Sequence, residues 1–84
     1  MRPYAIYISE AALASAPSSG LQREKLMRFI RSLAENVRRE GDFSEKDQTG
    51  RTVQVKIIGR YAVTFWVDHA VSEVKVTHIK LADE

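Results

Sequence analysis

The sequence predicts an α+β domain in which an antiparallel four-stranded sheet carries two N-terminal helices packed on one face. Three observations predict it. A short alternation of apolar and polar residues opens the chain, an apolar stripe with helical spacing follows, and from Arg51 onward the period becomes two. A chain of 84 residues can build only one small core, so we expect a single domain over residues 1–84 with the order β-α-α-β-β-β.

The first strand is predicted over residues 4–8, where apolar side chains alternate along the chain. Ser9 and Glu10 directly after it favour the start of a helix, because a serine hydroxyl caps free N–H groups. Pro17 and the serines and glycine that follow interrupt the helical pattern. The first helix is therefore short.

The second helix is predicted from a capping-box spacing, with Ser19 followed three residues later by Gln22. Its apolar residues recur at steps of three and four and form one stripe: Leu26, Phe29, Ile30, Leu33 and Val37. Gly41 is the predicted end of this helix. The polar stretch GDFSEKDQTG over residues 41–50 is predicted to be a loop.

Three strands in a meander are predicted after Arg51, and the length of each connection decides which residues lie opposite one another. A two-residue Gly59–Arg60 turn would set Lys56 opposite the apolar Val63. A three-residue loop over residues 58–60 instead pairs Ile57 with Tyr61 and brings the apolar rows together. The sequence therefore favours the three-residue loop.

The same criterion favours about four residues, 68–71, for the last connection. Val74 then faces Phe65, and His78 lies beside Tyr61.

This register predicts one covered face and one open face of the sheet. The covered face would carry Val53, Val55, Ile57, Tyr61, Val63, Phe65, Val74 and Val76. The open face would carry Thr52, Gln54, Lys56, Ala62, Thr64, Trp66, Glu73, Lys75 and Thr77. Antiparallel sheets with helices on one side leave the other side free for solvent or a partner.

Composition narrows the class of protein. A hydrophobic fraction of 44% and a charged fraction of 29% are ordinary for a soluble domain, and no apolar run is long enough to cross a membrane. The absence of cysteine excludes disulfides, thiol nucleophiles and thiolate metal sites, and two histidines alone make a weak metal site. We therefore expect a cytoplasmic protein with no metal and no cofactor.

The positive charge is concentrated in the first half of the chain, mostly between residues 23 and 39. The basic residues there are Arg23, Lys25, Arg28, Arg31, Arg38 and Arg39. A solvated helix face is the ordinary interpretation of such a pattern. A surface that binds polyanions is the alternative.

The order of elements and four segments resemble the RelE/ParE superfamily of bacterial toxins, over nearly the whole chain. The segments are YAIYISEAAL, REKLMRFIRSL, VKIIGRYAVTFW and VKVTHIK. The resemblance implies the toxin of a type II toxin–antitoxin system, with an antitoxin protein as partner. RelE-like members cut messenger RNA on the ribosome, and ParE-like members poison DNA gyrase.

Carried over to this chain, the resemblance implies a possible metal-independent endoribonuclease, an mRNA interferase. Lys56 could supply positive charge, His78 could act as acid or base, and Lys80 could contact phosphate. Ala62 stands where the nuclease members have their central arginine. Arg60 on the turn could reach back only in part.

Trp66 on the open face could stack an RNA base or anchor a partner protein, with Lys75 beside it. Three hypotheses therefore stay open. The chain is a toxin-like protein neutralised by an antitoxin, which we favour; or a ribosome-dependent endoribonuclease using Lys56, Arg60 and His78; or a non-catalytic homodimer joined through Trp66.

Overall fold

A computed structural model describes residues 3–83, which form five strands and two helices. The elements are β1 (Ala5–Ile8), α1 (Glu10–Ser15), α2 (Gly20–Leu33), β2 (Phe43–Lys46), β3 (Thr52–Ile58), β4 (Tyr61–Asp68) and β5 (Glu73–Leu81). The strands form one sheet in the order β1-β5-β4-β3-β2. The predicted α+β class is confirmed, with one strand more than the sequence predicted.

The additional strand is β2, which lies in the segment predicted to be a loop. It pairs antiparallel with β3, and Asp47 holds the connection between them. One carboxylate oxygen of Asp47 accepts hydrogen bonds from the N–H groups of Thr49 and Arg51 at 2.9 and 3.0 Å. A polar side chain that accepts hydrogen bonds from its own turn stabilises that turn.

The sheet is mixed rather than fully antiparallel, because β1 runs parallel to β5, with Ile6 opposite Val74 and Ile8 opposite Val76. The connection between these two parallel neighbours runs through both helices and then through β2, β3 and β4. No helix in the described part of the chain is long and apolar enough to span a membrane.

Both helix starts lie where the sequence places them, but their caps differ. Ser9 caps α1, and its hydroxyl accepts a hydrogen bond from the N–H of Ala12 at 3.1 Å. Ser19 makes no side-chain cap for α2. The predicted end of this helix at Gly41 is wrong, because α2 ends at Leu33.

The core lies between the helices and the part of the sheet formed by β1, β5 and β4. Its buried residues are Ala12, Leu26, Phe29, Ile30, Leu33, Val63, Phe65, Val74, Val76 and Ile79. The predicted stripe of α2 is therefore confirmed at its four helical positions. From β3, only Ile58 packs against this cluster.

The connection between β3 and β4 is the two-residue turn that the sequence argument rejected. Ile58 pairs with Tyr61, so Ile57 lies opposite Ala62 and Lys56 opposite Val63. Gly59 adopts a φ of 62°, which suits such a turn. Gln22 of α2 binds both sides of it, donating to the carbonyl of Ile58 at 3.1 Å and accepting from the Arg60 N–H at 3.5 Å.

This register places each side chain of β3 on the face of the sheet opposite to the predicted one. Residues opposite each other share a face, so Gln54 and Lys56 point to the helix side with Phe65 and Val63. Val53, Val55 and Ile57 point to the open face, whereas the sequence argument placed them on the covered one.

The reason is that α2 does not extend over β3. The segment 37–42 covers this strand instead, and it offers polar partners. The N–H of Gly41 donates to Gln54 Oε1 at 2.9 Å, and Lys56 Nζ lies 3.0 Å from Asp42 Oδ1. Gly41 also lies so close to the Val55 backbone that a Cβ there would collide with it.

The strands β4 and β5 are joined by four residues, 69–72, but their pairing is shifted from the predicted one. Phe65 lies opposite Val76 rather than Val74. A register shift between Thr64 and Phe65 marks a β-bulge at Thr77, and it reverses the alternation beyond that point. His78 therefore pairs with Thr64 on the open face, and the prediction that it lies beside Tyr61 is wrong.

Candidate functional site

A cleft of about 440 Å³ lies on the open face of the sheet, opposite the helices. Its lining residues are Glu45, Lys46, Asp47, Gln48, Thr49, Val53, Thr64, Thr77, His78 and Lys80. The end of the β2–β3 hairpin forms one wall, and β5 forms the other. Val53 and Thr64, which are 3% and 7% exposed, form the floor.

The β5 wall presents a histidine with a fixed hydrogen-bond partner. His78 Nδ1 lies 3.0 Å from the hydroxyl of Thr77, and that hydroxyl lies 3.5 Å from the carbonyl oxygen of Thr64. The bulge brings Thr77 and His78 to the same side of the sheet. Thr77 therefore orients the imidazole at the edge of the cleft.

Lys80 supplies positive charge next to Ala62. The two residues lie directly opposite each other on β5 and β4, and Ile57 lies opposite Ala62 on the other side. The centre of the open face thus carries a methyl group between an ammonium group and an isoleucine. A guanidinium group at this position would present two parallel N–H donors, which neither the methyl group nor the ammonium group can do.

The hairpin wall is acidic and internally braced. Asp47 Oδ1 accepts from the Thr49 hydroxyl at 2.6 Å, and its Oδ2 lies 3.7 Å from the Arg51 guanidinium. The Thr49 hydroxyl is the main cause that lowers the pKa of Asp47, followed by the N–H groups of Arg51 and Thr49 and the charge of Arg51. Glu45 lies opposite Val53 and adds a second carboxylate to this wall.

Two of the predicted site residues, His78 and Lys80, come together in the cleft. Two others lie elsewhere. Lys56, predicted on the open face, points to the helix side and pairs with Asp42. Arg60 lies on the β3–β4 turn and does not line the cleft.

Trp66 lies on the open face, as predicted, with Lys75 directly opposite it on β5. The Arg51 guanidinium carbon lies 3.8 Å from the centre of the indole ring, and Lys75 Nζ lies 5.6 Å from it. Lys75 also pairs with Asp68 at 3.7 Å and with Glu73 at 3.5 Å. The indole is therefore half-buried among charges of its own chain.

The hairpin wall was not predicted from the sequence, and Thr64 and Thr77, although predicted on the open face, were given no role there. The signal for the hairpin was present, because Asp47, Thr49 and Gly50 are residues that favour turns. The contribution of Thr77 had no such signal, since it depends on the bulge.

The cleft offers polar groups for binding a negatively charged ligand on its β5 side. Lys80, His78 and the hydroxyl of Thr64 can donate hydrogen bonds to anionic oxygens, whereas the Thr77 hydroxyl already donates to the Thr64 carbonyl. Within residues 3–83, no three His, Cys, Asp or Glu residues are grouped closely enough to hold a metal ion.

No family model and no curated protein sequence matches the chain. The fold does match a chain in the crystal structure of the archaeal RelE–RelB complex from Pyrococcus horikoshii OT3. The match has a TM-score of 0.72 and 19% sequence identity, and it covers 94% of this chain and 94% of that chain. The protein therefore has a RelE-like fold.

Proposed function

We propose that this protein is the toxin-like component of a toxin–antitoxin pair and that an antitoxin protein binds and neutralises it. The observation that carries the proposal is the RelE-like fold over 94% of the chain, matched to a structure in which RelE is held by RelB. Fold similarity alone is compatible with several functions, so the partner has to be demonstrated directly.

The open face supports a binding role more strongly than nuclease activity of the RelE type. Ala62 has no positive charge to stabilise the negative charge that develops on phosphorus in the transition state. Lys56 is held on the other side of the sheet by Asp42. Apolar groups also reach the surface there, since Phe43 is 49% and Ile57 38% exposed. Such side chains suit contact with a protein partner.

The test is expression of the protein alone and together with the product of the neighbouring reading frame. We expect growth arrest in the first case, normal growth in the second, and copurification of the two proteins as a stable complex. We expect the neighbouring reading frame to encode a small acidic protein with a DNA-binding half. Failure of the two products to copurify, or unimpaired growth in both cultures, would contradict the proposal.

A second candidate function, metal-independent cleavage of messenger RNA on the ribosome, is favoured by the position of His78 and Lys80 in one cleft. His78 could take the proton of the ribose 2′-hydroxyl while its oxygen attacks phosphorus, and Lys80 could stabilise the phosphate charge. The bond from phosphorus to the 5′-oxygen then breaks. That oxygen takes a proton from solvent water, and the other fragment ends in a 2′,3′-cyclic phosphate.

This candidate is tested by mapping RNA ends in cells that express the wild type or His78→Ala. Cleavage by the wild type and its loss in the variant are expected. His69→Ala is the matched control, because His69 lies in the β4–β5 connection and bonds to Tyr4. No new RNA ends with the wild type, or equal cleavage by His78→Ala, would exclude this mechanism.

A further inference from the structure

A second cavity, of about 420 Å³, lies mainly on the helix side of the sheet, where the segment after α2 covers β3. Its lining residues are Val37, Arg38, Arg39, Glu40, Arg51, Thr52, Gln54, Phe65, Trp66 and Val67. We call it the arginine pocket. Arg38 and Arg39 bring two guanidinium groups to it and Glu40 one carboxylate, whereas the Arg51 guanidinium is already paired with Asp47 and lies over the Trp66 ring. The pocket therefore carries net positive charge.

The arginine pocket holds more hydrogen-bond donors than its own acceptors can use. Gln54 Oε1 accepts from Gly41, and Thr52 Oγ1 accepts from Lys46 Nζ at 2.6 Å. Both side chains can therefore still donate, through the amide Nε2 and the hydroxyl hydrogen. Arg38 makes no hydrogen bond or ion pair with any residue in the range 3–83.

Positive charge continues from this pocket along α2. Arg39 also lines a neighbouring depression with Lys25 and Arg28. Arg28 in turn lines a third depression with Arg23 and Arg31. Over residues 3–83, no cation between Arg23 and Arg39 forms an ion pair, and the six cations of this segment outnumber its two carboxylates, Glu24 and Glu35.

We propose that the arginine pocket and the adjoining basic face of α2 bind the phosphodiester backbone of a nucleic acid. Phosphate contacts use arginine and lysine together with neutral donors such as threonine and glutamine, which is the combination found here. The row of connected cationic depressions suits a chain of phosphates better than one isolated anion.

A nucleic acid fits this surface better than an acidic protein segment does. Protein interfaces depend on exposed aromatic and large apolar anchors. The large hydrophobic side chains exposed in the described chain are Tyr7, Leu13, Leu21, Phe43, Ile57 and Val71. None of them lines the arginine pocket or the two depressions on α2.

The proposed surface is separate from the open-face cleft, and the proposal does not depend on toxin activity. The first measurement is the fluorescence anisotropy of a short labelled single-stranded RNA of mixed sequence. We expect the affinity of the wild type to fall between about 50 and 200 mM salt, with a log–log slope of about −0.7 for each phosphate neutralised.

The test variant is Arg38→Gln/Arg39→Gln, and its matched control is Ala70→Glu/Val71→Glu. Both lower the net charge by two, but the control residues are exposed in the β4–β5 connection and line neither the arginine pocket, the depressions on α2 nor the cleft. We expect the test variant to lose about tenfold or more in affinity and about 1.4 of the slope, while the control stays within about threefold of wild type. Equal losses in both variants would overturn the proposal.

A second measurement needs no variant and protects the test against a loss of folding. Titration of the isotopically labelled wild type with RNA should shift the amide resonances of residues 38–40 and 51–54. Shifts confined to residues 77–80 would overturn the proposal in favour of the cleft. Displacement of the RNA by inorganic phosphate at matched ionic strength, or by a glutamate peptide of equal charge, would also overturn it.

Discussion

Asp42 shows how one side chain joins the segment after α2 to β3. Its Oδ2 accepts a hydrogen bond from the Ile57 N–H at 2.7 Å, and its Oδ1 lies 3.0 Å from Lys56 Nζ. The Ile57 N–H is the main cause that lowers the pKa of Asp42 from its ordinary value of 3.8, and Lys56 adds to the effect. Both contacts favour the ionised carboxyl, so they tie the acid stability of the domain to this residue.

The expected pH dependence follows from the direction of that shift. A carboxyl with a lowered folded-state pKa contributes stability above its unfolded pKa, near 3.8, and loses the contribution as the pH falls through the folded value. Asp42→Asn should therefore lower the melting temperature at neutral pH, and the difference from wild type should shrink in acid. Thermal melts followed by circular dichroism across this range measure it.

Glu45→Gln is the matched control, because the Glu45 side chain accepts no hydrogen bond from residues 3–83 and forms no ion pair with them. A difference between Asp42→Asn and wild type that stays constant down to the most acid melts would contradict the proposed role of the carboxylate.

At the scale of elements, the helices and the existence of β3, β4 and β5 could be predicted, whereas the side of β3 could not. The spacing of Leu26, Phe29 and Ile30 identifies one stripe of a helix, and only one stripe can face a sheet. Alternation in a strand defines two faces but does not say which face a helix covers. Val53 and Val55 are buried, as predicted, but on the face away from the helices. The prediction of their face failed because α2 does not reach β3 and a polar segment does.

The candidate cleft could be predicted in part for a related reason. Lys80 and His78 were identified through the family resemblance of the segment VKVTHIK, but the face on which His78 lies depends on the bulge at Thr77. One additional residue in a strand reverses the alternation beyond it. No residue preference in this part of the sequence predicts the bulge. Alternation alone therefore predicted the wrong neighbour, Tyr61, for His78.

The register of β3 and β4 can be tested with cysteine pairs, because the chain has no cysteine of its own. Ile57→Cys/Ala62→Cys should form a disulfide on mild oxidation, since residues directly opposite each other bring their Cβ atoms within about 4.5–5.5 Å. Ile57→Cys/Tyr61→Cys, the pair of the alternative register, should stay reduced. Thiol titration and mass spectrometry distinguish the two, and a disulfide only in the second pair would refute the two-residue turn.

At the scale of the whole molecule, stability is unevenly distributed over the sheet. Three residues of β5, Val74, Val76 and Ile79, lie in the core, whereas all four residues of β2 are exposed. Only Ile58 connects the β2–β3 hairpin to the core cluster. Segments with few buried apolar contacts open locally without global unfolding. Because β3 buries Val53 and Val55 while β2 buries no residue, β2 is expected to be the more mobile part of the cleft wall.

Native-state hydrogen exchange should therefore separate the two ends of the sheet. We expect hydrogen-bonded amides of β2 to exchange at least about a hundredfold faster than those of β5, and with little dependence on denaturant, because they open locally.

Phe65→Ala removes a fully buried ring and should cost about 3–5 kcal/mol of unfolding free energy. Phe43→Ala, at a half-exposed ring, should change that free energy by less than about 1 kcal/mol. Equal protection and equal denaturant dependence in β2 and β5 would mean that the hairpin unfolds together with the core, and its wall of the cleft would then be as rigid as β5.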